Sequence, residues 1–228
     1  MPDLLTFFSP LDAVAVLVLL GSWGLAGWVI ENPPARRISV SRLMNAYRRD
    51  WMVEMLTRQP RIFDATILGS LRQGTTFLAS GAMIAVGGVL ALAGNAERLD
   101  DTVTGIGVEG HPVAFWQTKL ALVALFLTHA VFKFIWSNRL FGYCAVVMAS
   151  VPNDVTDPQA LVRAAKAAEI NIRAAMNFNR GLRSVYFAFA ALAWILGPLP
   201  LLLAVTAIGW TVLSREFAST SRSVLMED

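Results

Sequence analysis

The chain has 228 residues, of which 56% are hydrophobic and 15% are charged, with a formal net charge of +3. A soluble globular domain carries about 25% charged residues, so this composition argues against an ordinary water-exposed fold and indicates a surface that meets lipid. The single Cys144 excludes an intrachain disulfide and a four-cysteine metal site.

Four apolar stretches follow one another along the chain, at residues 13–30, 74–94, 115–136 and 185–213. A helix needs about 20 apolar residues to cross a bilayer, so each of the first three stretches predicts one span. The first stretch has no basic leader and no small-residue cleavage site. We therefore interpret it as a retained span rather than a signal peptide.

The fourth stretch is 29 residues long, which is long for one span and short for two. It contains the sequence GPLP, in which Gly197 favours the end of one helix and Pro200 the first turn of the next. We predict two spans that gain length at their cytoplasmic ends, where Arg180, Arg183 and Arg215 extend to the headgroups. One strongly tilted span with a proline kink is the alternative.

Basic residues are distributed unevenly among the connections. Residues 31–73 and 137–184 are rich in arginine, whereas residues 1–12 contain no Lys or Arg and residues 95–114 contain one, Arg98. Cytoplasmic loops carry the Lys/Arg excess, so the N-terminus is predicted outside and the first and third connections inside. Two final spans would keep the arginines of the C-terminal tail inside as well.

Residues 40–56, VSRLMNAYRRDWMVEML, place apolar side chains at helical spacing and arginines largely between them. This pattern predicts a basic amphipathic helix beside the membrane. Anionic lipid headgroups would hold it there; alternatively, its arginines bind a phosphate-bearing ligand or an acidic partner. Nucleic acid is not an expected partner, because the topology already accounts for these charges. The candidate residues for an anionic lipid or ligand are Arg36, Arg37, Arg42, Arg48, Arg49, Arg180 and Arg183.

Two further helices are predicted on the cytoplasmic side. Asp64 is a candidate N-cap for a helix that runs into the second span. Asp157 and Pro158 predict the start of another helix, which continues through QALVRAAKAAEINIRAAMNF. The alanines of this segment predict close packing against a neighbouring helix, in a cytoplasmic layer rather than a separate domain.

The second span carries a glycine at every seventh residue: Gly74, Gly81 and Gly88. Helices in lipid associate by close approach over small side chains, so this seam predicts helix packing. Packing against the first span of the same chain is the preferred interpretation. Packing between copies of the protein is the alternative.

His129 and Lys133 lie one helical turn apart in the third span. Ionisable groups inside a membrane are candidate functional sites, so this pair is the candidate intramembrane polar site. A neutral imidazole that hydrogen-bonds a neighbouring helix is the structural alternative for His129. Lys133 and Lys119 are expected to extend to opposite interfaces.

Several functional classes lack their sequence signatures. No carboxylate lies deep in a predicted span, although coupled carriers usually use one. His111 and His129 are placed too far apart to be paired haem ligands, and no HExxH, GxSxG or CxxC motif occurs. We therefore expect no catalytic residue, no metal site and no cofactor.

The segments RLMNAYRRDWMVEML, FDATILGSLRQGTTFLASG, FIWSNRLFGYCAVVMASVP, NFNRGLRSVYFAFAALAW and LSREFASTS resemble a family of multispanning membrane proteins catalogued as domain of unknown function 599. The resemblance covers nearly the whole chain and implies an integral membrane protein, without an activity or agreed functional residues. A ligand site, if one exists, is expected where the family's cytoplasmic-side motifs converge. These motifs map here to Arg49, Trp51, Asp64, Ser70, Ser80, Arg139, Tyr143, Arg180, Arg183 and Tyr186.

These features predict an all-α integral membrane bundle that forms one domain over residues 1–228, with an outside N-terminus, a cytoplasmic C-terminus and amphipathic helices beside the membrane. We expect a non-enzymatic accessory or scaffold subunit of the bacterial inner membrane, packing against a larger complex or against itself. A transporter or channel for a small molecule or anion, using the cytoplasmic arginines and His129, is the alternative. A lipid-active enzyme using Arg49, Asp64 and Arg180 is the third hypothesis. The five predicted spans cover residues 11–30, 72–94, 114–136, 178–197 and 199–216.

Overall fold

The computed structural model describes residues 7–34, 36–105 and 110–227, and these residues are mostly helical. No strand occurs among them, so the predicted all-α class is confirmed. The helices are α1 Pro10–Glu31, α2 Val40–Glu54, α3 Ile62–Gly94, α4 Ala96–Thr104, α5 Val113–Ala149, α6 Pro158–Leu192, α7 Pro198–Phe217 and α8 Thr220–Val224. Short 3-10 turns follow α2 at Met55–Thr57 and α6 at Ala193–Leu196.

Four helical segments of the described chain are long and apolar enough to cross a membrane: Pro10–Glu31, Ile62–Gly94, Val113–Ala149 and Pro198–Val224. The second and third have 33 and 37 residues. At 1.5 Å per residue they measure about 50 and 55 Å, well beyond the roughly 30 Å hydrocarbon core of a bilayer. Each therefore contains a predicted span and continues past it as the same helix.

The apolar run at residues 185–213 is two helices rather than one. The backbone turns at Gly197, which has a φ of 120°, a conformation that favours glycine over residues with a side chain. Its N–H bonds to the carbonyl of Trp194 at 3.0 Å, and α7 starts at the next residue. Near the far end of α7, Arg215 donates to the Tyr186 hydroxyl at 3.1 Å. The two helices therefore run back along each other as an antiparallel hairpin.

The described residues fall into two compact units, and α3, α5 and α6 contribute to both. The first unit takes its residues from Met1–Val29, Gly81–Ala130 and Leu182–Arg215. Its core is aliphatic and aromatic, and Leu19, Phe187 and Leu201 are fully buried in it. Helices α1, α5, α6 and α7 each contribute residues to this core.

The second unit takes its residues from Ile30–Ser80, Val131–Gly181 and Glu216–Asp228. Its core includes small side chains of α6 packed with larger ones from α2 and α5. The predicted alanine face is present, since the alanines at 160, 164 and 167 are fully buried. The predicted helix start is confirmed as well, because the Asp157 carboxylate accepts the Gln159 N–H at 2.7 Å, just where α6 begins.

Candidate functional site

The two central arginines of α2 bind side chains of α6. Arg48 donates to the amide oxygen of the fully buried Asn171, and burial lowers the pKa of the Arg48 guanidinium. Arg49 forms an exposed ion pair with Glu169, with 2.8 Å between Nη2 and Oε1. Both guanidinium groups therefore join α2 to α6 inside the second unit.

Arg180 and Arg183 are held by the protein, whereas the sequence predicted that they extend outward. In the second unit, Arg180 donates to both carboxylate oxygens of Glu31, at 2.9 and 2.5 Å. In the first unit, Arg183 is 7% exposed. Two of its guanidinium nitrogens lie 3.8 Å from the position that a Cβ would take on Gly27. The Arg183 guanidinium therefore lies against α1 at Gly27, where an added methyl group would be in ordinary contact with it.

Arg36, Arg37 and Arg42 are the exposed remainder of the predicted arginine set. The Arg37 guanidinium lies over the Phe217 ring, 5.7 Å from its centroid. Arg42 and Arg49 both line a cavity of about 640 Å³ along α2. The structure therefore gives most of the predicted arginines separate partners, while Arg42 and Arg49 line one cavity.

His129 is hydrogen-bonded across helices in the first unit. Its Nδ1 lies 2.7 Å from the Ser184 hydroxyl of α6. The Trp23 indole of α1 donates to the same hydroxyl at 3.3 Å and meets the imidazole edge-on. Ser184 thus links α1, α5 and α6. His129 therefore makes the contact with a neighbouring helix that was considered as its structural alternative. Lys133 belongs to the second unit, is half-buried, and forms no hydrogen bond or ion pair with another described residue.

The first unit contains a second polar centre that the sequence did not reveal. Lys119 was expected to extend to the interface, but it is only 3% exposed. Its ammonium group donates to the Trp194 carbonyl at 2.8 Å and lies 4.1 Å from the centroid of the Phe115 ring. The Trp194 indole in turn donates to Asp12 at 2.6 Å. The sequence contained one indication of this polar centre. Asp12 and Lys119 carry opposite charges, and both lie near the outer ends of predicted spans.

Asp64 connects α3 to the segment before it. It lies in the first turn of α3 rather than at the predicted N-cap, since the helix already begins at Ile62. Its Oδ1 accepts the Trp51 indole N–H at 2.7 Å and an Arg58 N–H at 2.5 Å. The carboxylate is fully buried, and Oδ2 has no partner in the described structure. These contacts hold the α2–α3 connection in place.

The glycines of the predicted seam lie on the exposed surface of α3. Gly74, Gly81 and Gly88 are all exposed. A methyl group added to any of them would meet no atom of another described helix within 4 Å. The preferred interpretation, packing against α1, is therefore not what these positions do within the described chain. Their packing role stays a prediction.

The other residues carried over from the family resemblance do not form one group. Arg139 donates to the Tyr143 hydroxyl at 2.5 Å along α5. Tyr186 accepts from the arginine at the end of α7. Ser70 and Ser80 are exposed on α3. The motifs thus support separate local contacts.

Chemically reactive groups are sparse in the described chain. No three His, Cys, Asp or Glu residues of the described ranges lie close enough to hold a metal ion. The Cys144 thiol is fully buried and donates to the Ala167 carbonyl at 3.4 Å. It therefore contributes to helix packing, where it is shielded from solvent.

A family model described as "Protein of unknown function, DUF599" matches residues 14–221. No curated protein and no solved structure matches the chain. The matched residues include α2–α7 in full and all but the first turn of α1.

Proposed function

This chain belongs to the DUF599 family, whose function is unknown, and we propose that it is a non-enzymatic membrane protein that serves as an accessory or scaffold subunit. It packs against a larger membrane complex or against a second copy of itself. The membrane is the bacterial cytoplasmic membrane, with the arginine-rich connections on the cytoplasmic side near anionic headgroups. This orientation is supported by the uneven distribution of Lys and Arg.

The proposed topology has five spans, with the N-terminus outside and the C-terminus inside. Four are the apolar helices already described, and the fifth is the C-terminal part of α6 with its 3-10 turn, about residues 178–197. The hairpin at Gly197 supports this assignment, because α7 returns beside α6 to the level of Tyr186. A cysteine at Leu196→Cys should react with a membrane-impermeant maleimide from outside. Labelling only after the vesicles are opened would contradict the topology.

The proposal of a packing function rests on the exposure of α3. Only 11% of the most apolar window of α3 is buried within the chain, the lowest share among the four apolar helices. Gly81 and Gly88 leave open hollows on this helix, on either side of the exposed side chain of Ile84, into which side chains of a partner helix would fit. A second helix could approach such a surface closely, and close approach is how helices gain packing energy in lipid.

The internal pairing of charged groups also supports a non-enzymatic function. Arg48, Arg49 and Arg180, which a carrier or a lipid-active enzyme would use, already bind side chains of their own unit. His129 is hydrogen-bonded to a buried serine. Groups in such contacts would have to break them before they could bind a substrate, which costs free energy.

Disulfide cross-linking in native membranes tests the proposal. In a Cys144→Ala background, Gly81→Cys and Gly88→Cys should form cross-linked dimers or adducts with another membrane protein. Leu203→Cys is the matched control, because Leu203 is an apolar residue of α7 that is 73% exposed. Gly81→Leu should reduce association in native mass spectrometry in mild detergent. A strictly monomeric protein, cross-linked at 81 and 88 no more than at 203, would refute the proposal.

A further inference from the structure

A groove runs between α3 and α5 in the second unit and contains a cavity of about 370 Å³. The two helices are antiparallel neighbours here, because Arg61 contacts Val151 at one end and Arg72 contacts Asn138 at the other. Eleven residues separate the two arginines, so the groove is about 16 Å long. Its lining residues are Met55, Arg61, Ala65, Leu68, Gly69, Arg72, Ala145, Met148, Ala149 and Asn153.

In the proposed topology this groove faces water. The second span begins at Arg72 and the third ends at Trp136, so the lining parts of α3 and α5 lie on the cytoplasmic side, where acyl chains do not cover them. The floor of the groove is nevertheless apolar, since Met55, Leu68 and Met148 are buried beneath it. An apolar groove in water gains free energy when a partner buries it.

Small residues form the sides of the groove. Ala65 and Gly69 line it from α3, and Ala145 and Ala149 line it from α5. A methyl group added to Gly69 would meet nothing within 4 Å. A helix about 10 Å across and as long as the groove has several times the volume of the cavity. Such a helix would therefore lie over the groove and insert apolar side chains into it.

Arg61 supplies a fixed positive charge at the far end of the groove. Its two terminal nitrogens donate to the carbonyls of Val151 and Pro152, both at 2.8 Å. Its Nε is buried and has no partner among the described residues. These partners are neutral, and no described carboxylate forms an ion pair with Arg61. The guanidinium group is therefore held in position with its charge uncompensated.

Arg72 supplies a second positive charge at the membrane end. Its side chain is exposed, and its one described contact is a long one, 3.5 Å from Nε to the Asn138 amide oxygen. No acidic residue lines the groove. The two acidic residues that adjoin the lining in sequence have other partners, since Asp64 binds Arg58 and Asp154 accepts hydrogen bonds from Thr156. The groove is therefore basic at both ends.

The spacing of the two charges favours a helix as the occupant. Eleven residues are close to three turns of about 3.6 residues, so Arg61 and Arg72 lie on one face of their segment. An anion the size of phosphate, bound by one arginine, would leave the other arginine and the apolar floor uncovered. An amphipathic helix with carboxylates about three turns apart would pair with both arginines and bury its apolar side chains between them.

We propose that the α3–α5 groove is a docking site for an acidic amphipathic helix of a cytoplasmic protein. Its apolar side chains enter the cavity beside Gly69, and its carboxylates pair with Arg61 and Arg72. This inference rests on the proposed accessory function and its topology, and it gives the chemistry of a partner on the cytoplasmic side. The groove is a different surface from the face of α3 that carries Gly81 and Gly88, so the two associations are independent.

Photo-cross-linking in native membranes tests the groove. With p-benzoylphenylalanine in place of Ala149 at the rim, irradiation should join the chain to another polypeptide. Peptide mapping should place the cross-link in an amphipathic helical segment that carries Asp or Glu residues about three turns apart. The same cross-linker in place of Thr66 is the control, because Thr66 is exposed on α3 and does not line the groove.

A synthetic peptide of the mapped segment then measures affinity for the full chain in mild detergent, by fluorescence anisotropy. Arg72→Gln should weaken binding about tenfold, as expected for loss of a charge-assisted contact. Gly69→Leu should weaken it similarly by filling the groove without changing any charge. Arg173→Gln is the matched control, since it removes an exposed arginine of α6 whose side chain has no described partner, and should change binding less than about twofold.

Three results would overturn the proposal. The first is cross-linking at 149 no greater than at 66, or to lipid alone. The second is a cross-linked segment without acidic residues. The third is wild-type affinity in both Arg72→Gln and Gly69→Leu, when circular dichroism shows both variants to be folded. Gly81→Leu should bind the peptide like the wild type, so a failure of association through α3 is distinguished from a failure of the groove.

Discussion

Glu31 and Arg180 join the last residue of α1 to α6 through two parallel hydrogen bonds, from Nε to Oε1 at 2.9 Å and from Nη2 to Oε2 at 2.5 Å. This fork-to-fork geometry is specific to arginine, because a lysine offers a single nitrogen. The side chains of Arg180 and Glu31 are 36% and 20% exposed, so solvent screens the pair in part. The pair therefore contributes geometric definition as well as stability.

Arg180→Lys should lower the free energy of unfolding by roughly 1–2 kcal/mol, because one of two charge-assisted bonds is lost in a partly screened setting. Thermal unfolding in mild detergent measures the effect. Arg173→Gln on the same helix should leave the melting temperature unchanged. Equal losses in the two variants would show that the α1–α6 contact is not specific.

Gly181→Ala should destabilise the second unit. A Cβ at this position would lie 2.8 Å from Cε1 of the fully buried Phe134, so α6 or the ring must move. Such overpacking costs about 1–3 kcal/mol. Gly142→Ala is the control, because its Cβ meets nothing within 4 Å and alanine favours a helix by about 1 kcal/mol over glycine. Gly181→Ala gains the same helix preference, so its net loss is up to about 2 kcal/mol. Chemical denaturation should therefore show Gly142→Ala to be stabilised and Gly181→Ala not, and an equal gain in both variants would contradict the packing.

Asp64→Ala should be the most destabilising of these changes, by about 2–4 kcal/mol. It leaves the partly buried Trp51 indole N–H without an acceptor and Arg58 without its carboxylate. Asp50→Ala, an exposed residue of α2 whose side chain has no described partner, is the control. Tryptophan fluorescence during denaturation reports both variants. Similar midpoints would mean that Asp64 does not hold the α2–α3 connection.

Asp100 should make stability depend on pH in the acid range. Hydrogen bonds from the His111 backbone N–H and the Trp116 indole, both at 2.8 Å, hold the pKa of this carboxyl below its usual value. Since the unfolded pKa is about 3.9, the stabilisation is fully present above that pH. It is lost as the pH falls through the lower native pKa.

Asp100→Asn should therefore reduce the fall in melting temperature between pH 6 and pH 3. Asp101→Asn, at the exposed neighbouring position, should retain the wild-type fall. If both variants follow the wild-type curve, the two hydrogen bonds do not favour the ionised form of Asp100.

Local patterns were sufficient to predict the helical segments of α1, α2, α3, α5, α6 and α7 and the break at Gly197, but not α4 or α8. Run length and the scarcity of charge identify apolar helices, and the glycine and prolines of GPLP act on the backbone of their own turn. The start of α6 followed from Asp157 and Pro158 for the same reason. Membership of the family was also visible from residues spread along nearly the whole chain.

The surroundings of the charged side chains could not be predicted in this way. Arg183 and Lys119 were expected at interfaces, yet both are buried, because each lies against a residue that is distant in the sequence, Gly27 for Arg183 and Trp194 for Lys119. The cavity between Arg61 and Arg72 depends equally on α5 lying beside α3. Periodicity shows which face of a helix a residue occupies. The partner it meets there is set by how the helices pack, and that packing depends on contacts between residues far apart in the chain.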